Sequence, residues 1–247
     1  MKNGFRHKFA AVLTAGLLLS MGFAILGRKV SAAPPAGASV TGTIKLDGTP
    51  PHERPIDMSK EPSCAKEHAS NPVRTESVVV GANGGLQNVV IYVSEGLSGN
   101  EPNSTEVQTW DQKGCQYIPH VIGLDVNQHF KVTNSDQTSH NIHPQPKNNS
   151  EWNKSQPPGS QPFDVAWTNP EVAIPVKCNI HPWMHGYMVV VKGPYGVSDN
   201  NGDFKLSGLA PGNYTLTAWQ ETYGTQTQKV TVAAGKPATV NFTFKAK

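Results

Sequence analysis

The heptapeptide Cys178-Asn179-Ile180-His181-Pro182-Trp183-Met184 is bracketed by two short apolar runs, residues 172–176 (Val-Ala-Ile-Pro-Val) and 188–191 (Met-Val-Val-Val). Runs of that length and β-branched content form strands, so the heptapeptide is a loop joining them. Pro175 has no amide hydrogen to give to a ladder, which points to an edge position or a bulge. A thiol, an imidazole and a thioether therefore share one turn, a set that a packing Cys or Met and a surface His do not require.

Upstream, Phe130 and Val132 alternate with polar neighbours and run into a turn at Asn134-Ser135-Asp136, beyond which stands Ser139-His140-Asn141-Ile142-His143. Copper in an electron-transfer site takes two His nitrogens and one Cys sulfur in a plane, with a weak, distant Met sulfur on the axis. Cys178, His181 and Met184 offer three of these donors, and His140 the second imidazole. Sulfur favours Cu(I) and imidazole satisfies Cu(II), so the expected cofactor is one copper ion able to hold either state. Asn141 is placed to hydrogen-bond across to the Cys178 loop and fix ligand orientation. Two other histidines leave alternatives open. His185 is an alternative to Met184 as fourth ligand, and His143, three positions past His140, reaches the ion only if the chain turns there.

The loop resembles the ligand loop of the plastocyanin-like and amicyanin-like cupredoxins, with an aromatic residue before the axial Met. Tyr117-x-Pro119 leading to Phe130-x-Val132-x-Asn134 and His140-Asn141-Ile142-His143 is similar to that family's approach to its first His ligand. The resemblance, over residues 76–193, implies a Greek-key β-sandwich with His140, Cys178, His181 and Met184 on one copper ion and His143 off it. It also implies single-electron exchange with redox partner proteins docking near His181, whose ring edge faces solvent in that family; Trp183 beside it reads either as an exposed aromatic of that docking surface or as a core aromatic. Three features depart from the family pattern: Asn127-Gln128 where a turn Gly is usual, Val176 where a Tyr is usual, and the long segment 144–162. That segment is rich in Pro, Asn, Gln and Ser and reads as a surface loop, with Trp152 either covering the site or fastening the loop.

Beyond Lys192 the pattern changes to four alternating strands separated by Gly-containing turns. The order Ser198-Asp199, Gly202, Phe204, Leu206, Leu209, Pro211-Gly212, Tyr214 resembles the carboxypeptidase regulatory-like module, which implies a small transthyretin-like or immunoglobulin-like β-sandwich with a structural or interaction role. A module of about 54 residues buries little core by itself and is expected to lean on what precedes it. Residues 39–46 resemble that family's opening strand. Elsewhere, residues 77–93 read as a hairpin and 95–114 as loop. The expected fold class is all-β: a cupredoxin-like domain over residues 38–193, then the small sandwich over 194–247.

Lys2, Arg6 and Lys8, an apolar run over 9–26 and small residues up to Ala32 have the order of a secretory signal, expected to be cleaved after Ala32 unless retained as an anchor. Residues 1–32 hold five of the 21 basic side chains and none of the 18 acidic ones, so the processed chain carries about −2. The alkaline balance of the whole chain therefore gives no sign of a nucleic-acid partner. Export to the periplasm or cell envelope permits disulfides. With three cysteines and Cys178 assigned to the ion, Cys64 and Cys115 are left to pair; a second metal site using them with His68 and His120 is the competing reading. No Ser-His-Asp order, phosphate loop or carboxylate pair suggests an enzyme. The expected function is an electron carrier, with copper storage or delivery, or surface interaction with a structural metal, as alternatives.

Overall fold

The computed structural model describes Met1 and residues 38–99, 101 and 103–247. The targeting segment read at 1–32 lies, Met1 apart, outside the described residues. No helix among those described is long and apolar enough to cross a membrane. The described residues from 38 on belong to one compact unit, built almost wholly of strands whose period-two alternation separates their faces.

β1 (Ala38–Asp47) buries Val40, Ile44 and Leu46 on one side. A long connection carrying α1 (Pro62–Glu67) leads to β2 (Val90–Glu95). Nine strands then follow, β3 (Gln108–Lys113), β4 (Gln116–Ile118), β5 (Val121–Asp125), β6 (His129–Asn134), β7 (His140–Pro144), β8 (Lys154–Gln156), β9 (Phe163–Ala166), β10 (Glu171–Lys177) and β11 (His185–Val191). The last six are β12 (Tyr195–Val197), β13 (Asp203–Leu209), β14 (Gly212–Gln220), β15 (Gly224–Val232), β16 (Ala238–Thr239) and β17 (Phe242–Lys245).

Two sandwiches result. In the first, the sheet β5-β11-β10-β7-β8 covers the sheet β4-β3-β6-β9 across a core that includes Trp110, Phe130, Ile142, Ile174 and Met188. In the second, β1 lies between β13 and the short strands β16 and β17, and this layer packs on β12-β2-β14-β15 through Val40, Ile91, Leu216 and Phe242. The fold is all-β, as expected. The C-terminal strands do draw on the N-terminal half: β1 is antiparallel to β13 and parallel to β17, and β2 pairs with β14 and β12.

The sandwiches meet face to face. Val90 of β2 and Trp219 of β14 pack on Val121, Val189 and Val191 of β5 and β11, the faces opposite those that fill the two cores. Gly123 sits at this seam without a side chain because a Cβ there would come within 2.6 Å of the Tyr195 ring.

Three local expectations are corrected. Residues 108–113 are strand, not loop, and pair with both β4 and β6. The 144–162 segment contributes β8, which pairs with β7. The hairpin expected over 77–93 reduces to an isolated bridge between Val80 and Leu86, because β2 is taken up by β14 and β12. At Pro175 the bulge reading holds: the register with β11 shifts between Glu171 and Ile174, and Ala173 takes φ +62°. Asn127, standing where the turn Gly was missed, adopts φ +64°, a conformation Asn tolerates better than most residues.

Candidate metal centre

β10 ends at Lys177 and β11 begins at His185, so the heptapeptide is the connection between two paired strands. Its ends are tied by a bond from the Cys178 amide to the Met184 carbonyl at 2.9 Å, and by one from the Met184 amide to the His181 carbonyl, also 2.9 Å. Those two bonds curl the loop so that Cys178 and His181 face inward, while Ile180 stays 49% exposed.

Asn141 joins this loop to β7. Its side-chain oxygen accepts from the Asn179 amide at 2.7 Å and from the Cys178 thiol at 3.4 Å. Its own Nδ2 donates to Asn153 Oδ1 at 2.7 Å, and its carbonyl accepts from the Tyr117 hydroxyl at 2.6 Å. The neighbouring His140 is thereby held over the loop: His140 Nδ1 lies 2.9 Å from His181 Nδ1, and Cys178 Sγ lies 3.8 Å from that same nitrogen. One donor atom from each of the three residues falls within 4.8 Å of the others, all buried. Met184 is 1% exposed, in the same apolar cluster as Cys178.

Behind His140 stands Asp136, whose Oδ2 is 2.7 Å from His140 Nε2. The same carboxylate accepts from the Gly114 and Cys115 amides at 2.7 and 2.8 Å. A buried carboxylate bonded to the far nitrogen of an imidazole fixes its tautomer and raises its basicity. Burial alone would lower the His140 pKa, but Asp136 and Cys178 outweigh it and push it up to about 9. Burial works to raise the Cys178 pKa, yet the bond to His140 and the surrounding amides hold it below the usual thiol value. His181 moves the other way: burial and the charge of His140 lower it.

The His181 ring is 1% exposed, so the edge expected to face solvent is covered. The cover is the connection carrying α1. Glu61 Oε2 lies 3.6 Å from His181 Nε2, and Trp183 lies tilted beside the imidazole with ring centroids 5.2 Å apart. The Trp183 indole N–H donates to the Cys115 carbonyl at 3.2 Å. Cys64 of α1 is disulfide-bonded to Cys115, as expected from the cysteine count, and packs with Met58 against Trp183. The pairing leaves neither thiol for a second site, and His68 Nε2 instead meets the Gly114 carbonyl at 2.8 Å.

The remaining candidates separate clearly. His143 contacts Asn179 and Glu151, at 3.1 and 2.6 Å, away from the cluster. His185 shares a strand face with Tyr187 and Val189, opposite Met188, and its ring packs edge-on against His120 at 5.3 Å. Trp152 stacks on Trp167 at 6.0 Å and fastens its loop to the body. Glu61, Asp136 and Glu221 were not singled out by sequence; Asp136, four residues before His140, entered only as a turn residue.

Fold and site together define an all-β protein with two imidazoles and a thiol converging in a buried pocket. Residues 187–245 match the carboxypeptidase regulatory-like domain family. A comparison with curated proteins finds no match. Among solved structures, a copper-containing nitrite reductase from Thermus scotoductus SA-01 is similar at 17% identity and TM-score 0.32, over 38% of this chain and 24% of that one. A purple cupredoxin from Nitrosopumilus maritimus is similar at 21% identity and TM-score 0.29, over 34% of this chain and 98% of that one. The Cu(I) form of an amicyanin mutant is similar at 19% identity and TM-score 0.30, over 42% of this chain and 98% of that one. The chain thus spans about a quarter of the nitrite reductase.

Proposed function

We propose that the protein is an exported mononuclear copper protein of the cupredoxin kind that passes single electrons between partners. The observation that carries this reading is the approach of one ring nitrogen each of His140 and His181 and the sulfur of Cys178 to within 4.8 Å of one another, all three residues buried. Two imidazoles and a thiolate are the strong donors of such a site, and Met184 at the end of the same loop supplies the soft axial one. Bound copper would supply the one-electron Cu(I)/Cu(II) couple. The chain's own part is to hold the donors still: Asn141 fixes the Cys178 loop, Asp136 orients His140, and the apolar cluster around Met184 keeps water out. Partners would dock at the end of the sandwich carrying His181 and Trp183, where Ile180 is exposed. The protein acts as a carrier and not as a catalyst. Export rests on the order of residues 1–32 and agrees with the disulfide.

The deciding experiment is visible absorption and electron paramagnetic resonance of copper-loaded protein. An intense thiolate-to-copper band, absent from Cys178→Ser, is expected; a colourless oxidised protein overturns the reading. The covered edge of His181 favours a second reading, copper storage or delivery, because an imidazole closed off from solvent suits retention better than rapid exchange. Slow electron self-exchange together with transfer of Cu(I) to an acceptor would select it.

A further inference from the structure

We propose that His120, His185 and Glu221 form a second metal site, for a divalent cation of the zinc type, at the seam between the two sandwiches. His120 lies between β4 and β5, His185 opens β11, and Glu221 follows β14, so both sandwiches contribute. A donor atom from each falls within 4.8 Å of the other two. His120 is 5% exposed, and its Nε2 is 2.6 Å from Glu221 Oε2, itself on a side chain 8% exposed. A further carboxylate, Glu76, stands 3.9 Å from His120 Nδ1.

The tautomer of His185 suits a ligand. Its Nδ1 is 2.9 Å from the Trp183 carbonyl, which only accepts, so that nitrogen carries the proton and Nε2 keeps its lone pair. Imidazoles on metals are commonly oriented this way by a backbone carbonyl. Glu76, His120 and His185, though not Glu221, line a pocket of about 10 Å³, the lower limit of the room that one water or a small ion needs. A simple His–Glu ion pair accounts for His120 and Glu221 but does not involve the second imidazole, which stands edge-on to the first at 5.3 Å.

Two nitrogens and a carboxylate oxygen with an open fourth position are a zinc donor set, without the sulfur that marks the Cys178 cluster for copper. An ion there would tie Glu221 of the second sandwich to His120 and His185 of the first. The inference does not depend on copper at Cys178.

The test is Co²⁺ and Zn²⁺ titration of the full chain carrying Cys178→Ser, which removes the only free thiol among the described residues. Saturable Co²⁺ binding with ligand-field absorption and no thiolate charge-transfer band is expected, with a rise in melting temperature on adding Zn²⁺. In the same background, the conservative changes His185→Gln and Glu221→Gln should each weaken binding about tenfold or more. Near-UV circular dichroism verifies folding, and His185 and Glu221 are both only partly buried. Absence of saturable binding in Cys178→Ser overturns the proposal. So does binding that both further variants leave unchanged, since the ion would then sit on His140 and His181.

Discussion

The carboxylate of Glu61 stands 3.6 Å from His181 Nε2, a buried nitrogen without a hydrogen-bond partner. The imidazole is thus closed off by a segment from a distant part of the chain, and that segment is pinned by the Cys64–Cys115 disulfide.

If the bond holds the cover in place, its removal should open the edge of His181. In Cys64→Ser/Cys115→Ser, reduction of the copper-loaded protein by a small external reductant should be faster than in the parent, read by stopped-flow absorption. An unchanged rate would mean that Trp183, Ile56 and Val73 hold the segment alone. The bond closes a loop of 51 residues, so its loss should also cost on the order of 4 kcal/mol through chain entropy.

Asn141 makes the next prediction. Its side-chain oxygen serves both Asn179 and Cys178, so Asn141→Ala leaves a loop amide unpartnered. Losing such bonds costs about 1–3 kcal/mol, which in a chain of this size lowers the melting temperature of the metal-free protein by roughly 2–4 °C per kcal/mol. The copper-loaded variant should keep its charge-transfer band with altered paramagnetic parameters, because the donors remain while their orientation loosens. Parameters identical to the parent would remove Asn141 from the positioning role.

Much of this architecture could be read from residue types. The Cys178 loop announces itself because its donors are contiguous, and His140 follows a strand whose Phe130 and Val132 alternate cleanly. The strand β3 escapes notice because Gln112 is fully buried, as is Gln156 on β8, and their side chains bond to each other in the core. Two polar residues at interior positions erase the alternation that marks a strand. The cover over His181 was illegible for another reason. Glu61 and the cluster of His120, His185 and Glu221 arise from contacts between segments far apart in sequence, which no local spacing encodes.

The packing of β1 yields a prediction for the second sandwich. A Cβ on Gly42 would fall 1.6 Å from the Val240 carbonyl oxygen, which is backbone and cannot swing aside. Gly42→Ala must therefore push β1 away from the β16–β17 connection. A loss of about 2–4 kcal/mol is expected, in the range of overpacked and strained core sites. Denaturant unfolding measures it, and a change below about 0.5 kcal/mol would show that the parallel pairing of β1 is not tightly held.

Copper binding should itself stabilise the fold, because a ligand that binds only the native state adds RT ln(1 + [L]/Kd), about 4 kcal/mol at a thousandfold excess over Kd. The useful quantity is the difference in melting temperature between copper-loaded and metal-free forms of each variant. Met184 is buried, so Met184→Ala destabilises both forms through the cavity it leaves, by about 2–5 kcal/mol. A weak axial donor adds little beyond that, so the increment due to copper should survive in Met184→Ala and collapse in Cys178→Ser, where a short thiolate bond is lost. If Met184→Ala lost the increment as completely as Cys178→Ser, the thioether would be a principal ligand and the site would not have the trigonal arrangement of an electron carrier.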